Sequence, residues 1–273
     1  GGGVSDTSEP TAQHTLRAEV VATTAVAVFS VTTAAGFARV FPGWSFLVDM
    51  AVIAVGGHLG CLALRRLGVP GWAAIPAAAG GLGWLIAVVY YPSTTWFGVP
   101  TTATWDLFRV ELDAVREQFP VAVAPVDYGG GWDVMAAIGL AFIVLLADIF
   151  AFRAFARAET LVPGGVLFVF IGALGTDRSR VPLTVALVAA GVVTTVVLRA
   201  YHSRTGHRGG TIATLRRVGQ AAVAATIVLA LAAHLRLGRW RLPCALLALW
   251  FALLALVLYN VPYGAPAAVL AVL

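Results

Sequence analysis

The feature that most constrains this sequence is a series of eight apolar runs, each about as long as a bilayer is thick. A helix that crosses the hydrocarbon core needs about 20 mostly apolar residues. The chain is 60% hydrophobic and 11% charged, whereas soluble proteins carry about 25% charged residues. A water-soluble fold is therefore excluded. The runs lie at about 18–38, 43–64, 70–91, 132–152, 158–174, 181–200, 218–237 and 242–259.

These runs predict an all-α fold, a polytopic integral membrane bundle of about seven or eight transmembrane helices. A polar tail at 1–17 precedes the first three helices at 18–91. A long loop at 92–131 separates them from helices four to seven at 132–238. The last segment, 239–273, turns apolar again and predicts an eighth helix.

The basic residues indicate how the chain is oriented. All 18 are arginine, and they lie singly or in pairs at the ends of apolar runs. They form no single basic face, so nucleic acid is not an expected partner. Cytoplasmic loops of membrane proteins carry the excess of basic residues. A cytoplasmic N-terminus places ten arginines inside and eight outside: the ten are Arg17, Arg65, Arg66, Arg153, Arg157, Arg199, Arg204, Arg208, Arg216 and Arg217.

The outer loop contains an amphipathic pattern. Apolar side chains recur at spacings of three and four, which places them on one stripe of a helix at about 104–119. Thr104 is the expected N-cap, and Pro120 ends the element. The stripe could pack on the bundle, enter the membrane interface, or bind an extracytoplasmic domain or envelope protein. Packing on the bundle is favoured. The stripe consists of Trp105, Phe108, Leu112, Val115 and Phe119.

Ionisable residues inside spans are costly in lipid and therefore are candidates for function. Asp49 and His58 lie on one helix, but nine residues place them on opposite faces, so they form no relay with each other. Asp148 lies one turn from the cytoplasmic end of the fourth span, with Arg153 and Arg157 just beyond. An interfacial ion pair between Asp148 and an arginine of this or a neighbouring helix is favoured. A buried, hydrogen-bonded Asp148 that fixes helix register is the alternative.

The sequence predicts no catalytic, cofactor-binding or metal-binding residue. No span contains the H-E-x-x-H spacing of a metal site or a serine–histidine pairing. The triple glycine at 129–131 lacks the preceding strand and following lysine of a phosphate-binding loop. Cys61 and Cys244 are expected at opposite membrane surfaces, too far apart for a disulfide.

Three short phrases carry a resemblance to a known family. They are Thr95–Thr102 (TWFGVPTT), Ala122–Val126 (AVAPV) and Leu146–Asp148 (LAD), and the amphipathic helix lies between the first two. Over about 18–238, the chain resembles the N-terminal membrane region of bacterial membrane-anchored transglutaminase-like proteins, which are similar to thiol peptidases. The resemblance implies a plasma-membrane protein followed by an extracytoplasmic domain that uses Cys, His and Asp in that order.

This chain departs from that pattern. No histidine lies between Cys61 and the last acid, Asp177, and neither histidine nor acid follows Cys244. We therefore expect the enzyme domain to be lost, or the sequence to be a fragment, and this chain not to be the enzyme. The leading hypothesis is an integral membrane scaffold or anchor whose partners are the bilayer and an outer domain. The alternative is a small-solute or lipid transporter in which Asp49, His58 or Asp148 faces a cavity.

Overall fold

The computed structural model describes residues 9–204, with side chains from residue 16. These residues form seven α-helices joined mostly by short turns. A two-stranded antiparallel hairpin, β1 (Thr95–Trp96) and β2 (Val99–Pro100), lies in the long loop. The helices are α1 (Glu9–Ala35), α2 (Phe46–Arg66), α3 (Gly71–Tyr90), α4 (Thr102–Gln118), α5 (Trp132–Asp148), α6 (Val162–Leu174) and α7 (Arg180–Arg204).

Five helices are long and apolar enough to cross a membrane, so the chain is a multi-pass membrane protein and the predicted helical class is confirmed. They are α1, α2, α3, α5 with a π-type turn at Ile149–Arg153, and α7. The run expected to span at 158–174 instead forms α6, which has 13 residues. Such a helix rises about 20 Å, less than the hydrocarbon core of about 30 Å. The runs expected at 218–237 and 242–259 lie outside the described residues.

Helix α1 lies at the centre of the bundle. It contacts α2, α5, α6 and α7, while α2 also contacts α3 and α5. Gly57 allows α2 to approach its neighbours closely, because a Cβ at this position would lie 2.6 Å from Leu82 and 2.8 Å from Val144. The main core lies between these helices and includes Phe41, Met50, Ile53 and Leu140.

The bundle has two polar ends. The arginine end holds the start of α1, the ends of α2, α5 and α7, and the turn before α6; the loop end holds the 92–131 segment. The charged residues of 16–204 at the arginine end are Arg17, Arg65, Arg66, Arg153, Arg157, Arg199 and Arg204, with Glu19, Asp148 and Glu159. Those at the loop end are Arg39, Arg109, Arg116, Arg178 and Arg180, with Asp49, Asp106, Glu111, Asp113, Glu117, Asp127, Asp133 and Asp177.

The amphipathic helix forms as α4, but it begins two residues before the predicted start. Thr101 has an extended backbone (φ −107°, ψ 179°) and is the N-cap. Thr104, the predicted N-cap, is the third helical residue, and its Oγ1 accepts a 3.0 Å hydrogen bond from the backbone N–H of Thr101. The Thr104 hydroxyl also lies 2.9 Å from the carbonyl oxygen of Thr94. The prediction was wrong because this contact with the preceding turn places Thr104 inside the helix.

Candidate functional site

The most polar buried site lies at the arginine end and is centred on Arg65. We call Glu19, Thr23, Arg65, Arg66 and Asp148 the Arg65 cluster. Arg65 donates from Nε to Glu19 Oε1 at 3.0 Å and from a terminal nitrogen to Thr23 Oγ1 at 3.1 Å. Its other terminal nitrogen donates to Asp148 Oδ1. Arg66 reaches the second Glu19 oxygen at 2.5 Å. The cluster therefore joins α1, α2 and α5.

The centre of the cluster is shielded from solvent, whereas Arg66 at its edge is 39% exposed. The Asp148 side chain is 3% exposed. The Phe152 ring covers the Arg65 guanidinium with its centroid 3.9 Å away, a geometry that adds a cation–π attraction. All three guanidinium nitrogens of Arg65 have a partner, so each buried charge faces an opposite charge and the site holds helices together.

The ion pair predicted for Asp148 is present, with an arginine of a neighbouring helix. Arg153 lies in the π-type turn that extends α5, next to Gly71: its guanidinium is 3.2 Å from where a Gly71 Cβ would stand. Within residues 16–204, Arg153 has no carboxylate within 4.0 Å. Of the two arginines expected near Asp148, neither is its partner.

His58 and Asp49 lie in separate environments, as their spacing on α2 predicts. His58 is fully buried, and its Nε2 lies 2.9 Å from Ser30 Oγ on α1. Asp49 lies at the loop end and accepts a 2.8 Å hydrogen bond from the Tyr128 hydroxyl. Cys61 is a buried free thiol; Cys244 lies outside the described residues. The His58 and Asp49 side chains therefore each link α2 to another segment.

Hydrogen bonds made by two tyrosines join the outer loop to the bundle. Tyr128 lies 3.1 Å from Tyr90 as well as next to Asp49, and Tyr91 donates to Glu111 of α4 at 2.6 Å. Burial raises the pKa of both the Tyr91 and Tyr128 phenols, and the hydrogen bonds to neighbouring groups raise it further. Both phenols therefore remain protonated donors across the physiological pH range.

The apolar stripe of α4 packs on the bundle only in part. Val115 is buried and lies against Gly131, where a Cβ would be 2.9 Å from Val115 Cγ2 and 2.8 Å from the Glu111 carbonyl oxygen. Phe108, Leu112 and Phe119 are half-buried, and Phe119 stacks on Trp132. Trp105 is 53% exposed and contacts Phe108 and Arg109.

A second exposed aromatic group lies on the β1–β2 hairpin. Trp96 and Phe97 protrude from it, with Phe97 92% exposed at a positive φ of 47°. The Trp84 ring N–H of α3 donates to the Gly98 carbonyl oxygen at 2.8 Å and holds the hairpin against α3. The chain has no charged residue from 67 to 105, so α3 and the hairpin form a continuous uncharged surface.

Sequence reasoning missed Glu19, Arg65 and Tyr128 as site residues. Arg65 was interpreted only as a marker of orientation, although a signal was present. Helices that alternate in direction bring the start of the first, the end of the second and the end of the fourth span to one surface. Glu19, Arg65 and Asp148 occupy those three positions.

The chain was compared with protein-family models, curated proteins and solved structures, and none of them matches it. Its function must therefore be argued from its own residues.

Proposed function

We propose that this chain is an integral membrane scaffold or anchor that holds the α4 loop at one surface of the bilayer. The observation that carries the proposal is the Arg65 cluster. A carrier that couples transport to ions needs an ionisable group facing a cavity near the membrane centre. Here Asp148 and Glu19 are instead used to join α1, α2 and α5.

We place the protein in a bacterial plasma membrane with its N-terminus in the cytoplasm. The arginine end carries seven arginines and three acids within residues 16–204, while the loop end carries five arginines and eight acids. The positive-inside rule counts basic residues and favours the arginine end as the cytoplasmic side. The α4 loop then faces outward, as in the transglutaminase-like proteins that the sequence resembles.

The proposed partner surface is the face of α4 directed away from the bundle. Val110 is 65% exposed there, between Asp106, Arg109 and Asp113, which are also exposed. This surface carries charges of both signs that a partner could pair with, as at the polar rim of a protein interface. We propose an extracytoplasmic domain or envelope protein as the partner.

Photo-crosslinking from position 110 in cells tests this proposal. Val185 on α7 is the matched control, because it is similarly exposed at 61% but lies on a membrane-spanning helix. We expect an adduct with an envelope protein from position 110 and none from 185. If position 110 gives no adduct beyond that of position 185, the scaffold proposal fails.

The transporter alternative makes a different prediction. Carriers interrupt helices with Gly or Pro at the substrate site, and α3 contains Pro76 with Gly80, Gly81 and Gly83. A Cβ at any of these glycines would meet no described residue within 4 Å. These glycines therefore lie on the open side of α3. Solute flux in proteoliposomes that is abolished by Asp148→Asn, with the fold retained, would favour the transporter over the scaffold.

A further inference from the structure

A groove of about 260 Å³ lies between α1 and α2. Val20, Val28, Val55 and Leu59 line it and are each more than 40% exposed. Both helices are long and apolar enough to span the membrane, and these exposed side chains lie within the spans, so the groove faces lipid.

The exposed surface of the groove is apolar although three threonines and His58 line it. His58 is fully buried, and its Nε2 lies 2.9 Å from Ser30 Oγ. Thr24 donates to the Val20 carbonyl oxygen at 2.9 Å, and Thr32 donates to that of Val28 at 2.8 Å. Thr23 is buried beneath the surface and accepts from Arg65. Because these hydroxyls are satisfied within the protein, a hydrocarbon chain in the groove leaves none of them without a partner.

The groove is as long as one leaflet is deep. Its lining residues on α1 run from Val20 to Thr32, a rise of about 18 Å. Half of the hydrocarbon core is about 15 Å. On α1 the groove starts three residues after Arg17 and ends three residues before Ala35, whereas on α2 it covers only the half nearer Arg66. A single acyl chain that enters from the arginine end fits along it.

Two arginines stand at the mouth of the groove. Arg17 lies three residues before Val20 on α1, and Arg66 lies four residues after Leu62 on α2. Residues three or four apart share a helix face, so both arginines continue the groove walls into the headgroup region. Arg17, Arg65 and Arg66 outnumber Glu19 and Asp148 by one positive charge. One phosphate diester would neutralise that charge.

We propose that the groove binds one anionic phospholipid, with its acyl chain between α1 and α2 and its phosphate at Arg17 and Arg66. This site is separate from the outer surface of α4 and does not depend on the scaffold role. The lipid covers an apolar surface, and its phosphate neutralises the one positive charge by which Arg17, Arg65 and Arg66 together exceed Glu19 and Asp148.

Native mass spectrometry of the purified full chain tests the site with phosphatidylglycerol and with phosphatidylcholine of the same acyl chains. We expect one phosphatidylglycerol to bind more tightly than phosphatidylcholine. Arg17→Gln and Arg66→Gln should each weaken phosphatidylglycerol binding about fivefold. Arg199→Gln, at the same end on α7, is the control and should change nothing. Arg17→Gln removes no ion pair of the cluster, so an unchanged melting temperature shows that its effect is on binding.

A blocking variant tests the acyl chain. Val28→Trp fills the groove and should weaken binding of both lipids, whereas Val192→Trp, on the exposed side of α7, should leave both unchanged. Equal affinity for the two lipids in the wild type overturns the proposal. So does an effect of Arg199→Gln equal to that of Arg17→Gln, or a Val28→Trp variant that binds as the wild type does. Absence of any bound lipid would show that another part of the chain or a second copy covers the groove, and would also overturn it.

Discussion

Replacing Arg65 by glutamine should cause the largest loss of stability of any single change at the arginine end. The substitution keeps a side chain of similar length but removes the positive charge between Glu19 and Asp148. Asp148 remains buried and Glu19 remains partly buried, with side chains 3% and 13% exposed. Glu19 retains Arg66 at 2.5 Å, whereas Asp148 loses its only ion-pair partner within the described residues.

The expected magnitude follows from these contacts. Hydrogen bonds between membrane helices are worth about 0.6 kcal/mol each, so the three that Arg65 donates account for roughly 2 kcal/mol. Removing one partner of a buried ion pair costs about 3–5 kcal/mol, because the remaining charge is left uncompensated. We therefore expect Arg65→Gln to lower the free energy of unfolding by about 3–5 kcal/mol.

Reversible unfolding in mixed micelles measures this loss, with Arg199→Gln as the control for removing an exposed arginine at the same end. The double variant Arg65→Gln, Asp148→Asn should be more stable than Arg65→Gln alone by at least about 1 kcal/mol, since it removes the orphaned charge. A loss below about 1 kcal/mol for Arg65→Gln, together with no recovery in the double variant, would refute the assignment of a buried, paired cluster.

Three further changes test the packing and the outer loop. Gly57→Ala should lower the free energy of unfolding by about 1–3 kcal/mol, because its Cβ would lie 2.6 Å from Leu82. Gly60→Ala, which meets nothing within 4 Å, should not destabilise; equal effects in thermal unfolding would contradict the close approach of α2 and α3. Gly131→Ala should loosen α4, since φ is 91° and the Cβ would meet a backbone oxygen at 2.8 Å, and faster amide exchange in α4 would report it. Burial raises the pKa of Tyr128, so the folded state holds its proton more tightly and stability should fall as pH rises above about 10. Tyr128→Phe should reduce that fall, and an unchanged pH profile would refute it.

The helices could be predicted from the sequence because lipid restricts what a spanning segment can be. Apolar runs of sufficient length located α1, α2, α3, α5 and α7. The 158–174 run gives a shorter α-helix than expected because its first residues form a separate 3-10 turn at Glu159–Leu161. Pro163 stands in the first turn of α6, and Gly175 follows its last residue. Hydropathy measures composition along the chain and does not report where a helix begins or ends.

The site could be predicted only in part. The pairing of Asp148 with an arginine followed from the cost of a lone charge in lipid, but the favoured interfacial position was wrong because the Asp148 side chain is 3% exposed. The identity of the arginine did not follow, because Arg65 is 83 residues away and only the packing of α2 against α5 brings it near. Arg153 and Arg157 were better candidates by sequence distance alone. The apolar stripe of α4 could be predicted from its periodicity. The exposure of Trp105 could not, because it depends on how much of α4 the bundle covers.

The two carboxylate partners of Arg65, Glu19 and Asp148, also favour an order in which the helices associate. Glu19 precedes Arg65 by 46 residues and Asp148 follows it by 83. When α2 is synthesised, Glu19 is already present and can neutralise the guanidinium, but one of its nitrogens still lacks an acceptor. That nitrogen gains an acceptor only when α5 has been synthesised, because the acceptor is the Asp148 carboxylate of α5. Helix α3 has no charged residue and offers Arg65 no carboxylate, so the guanidinium distinguishes α5 from the uncharged helix inserted before it.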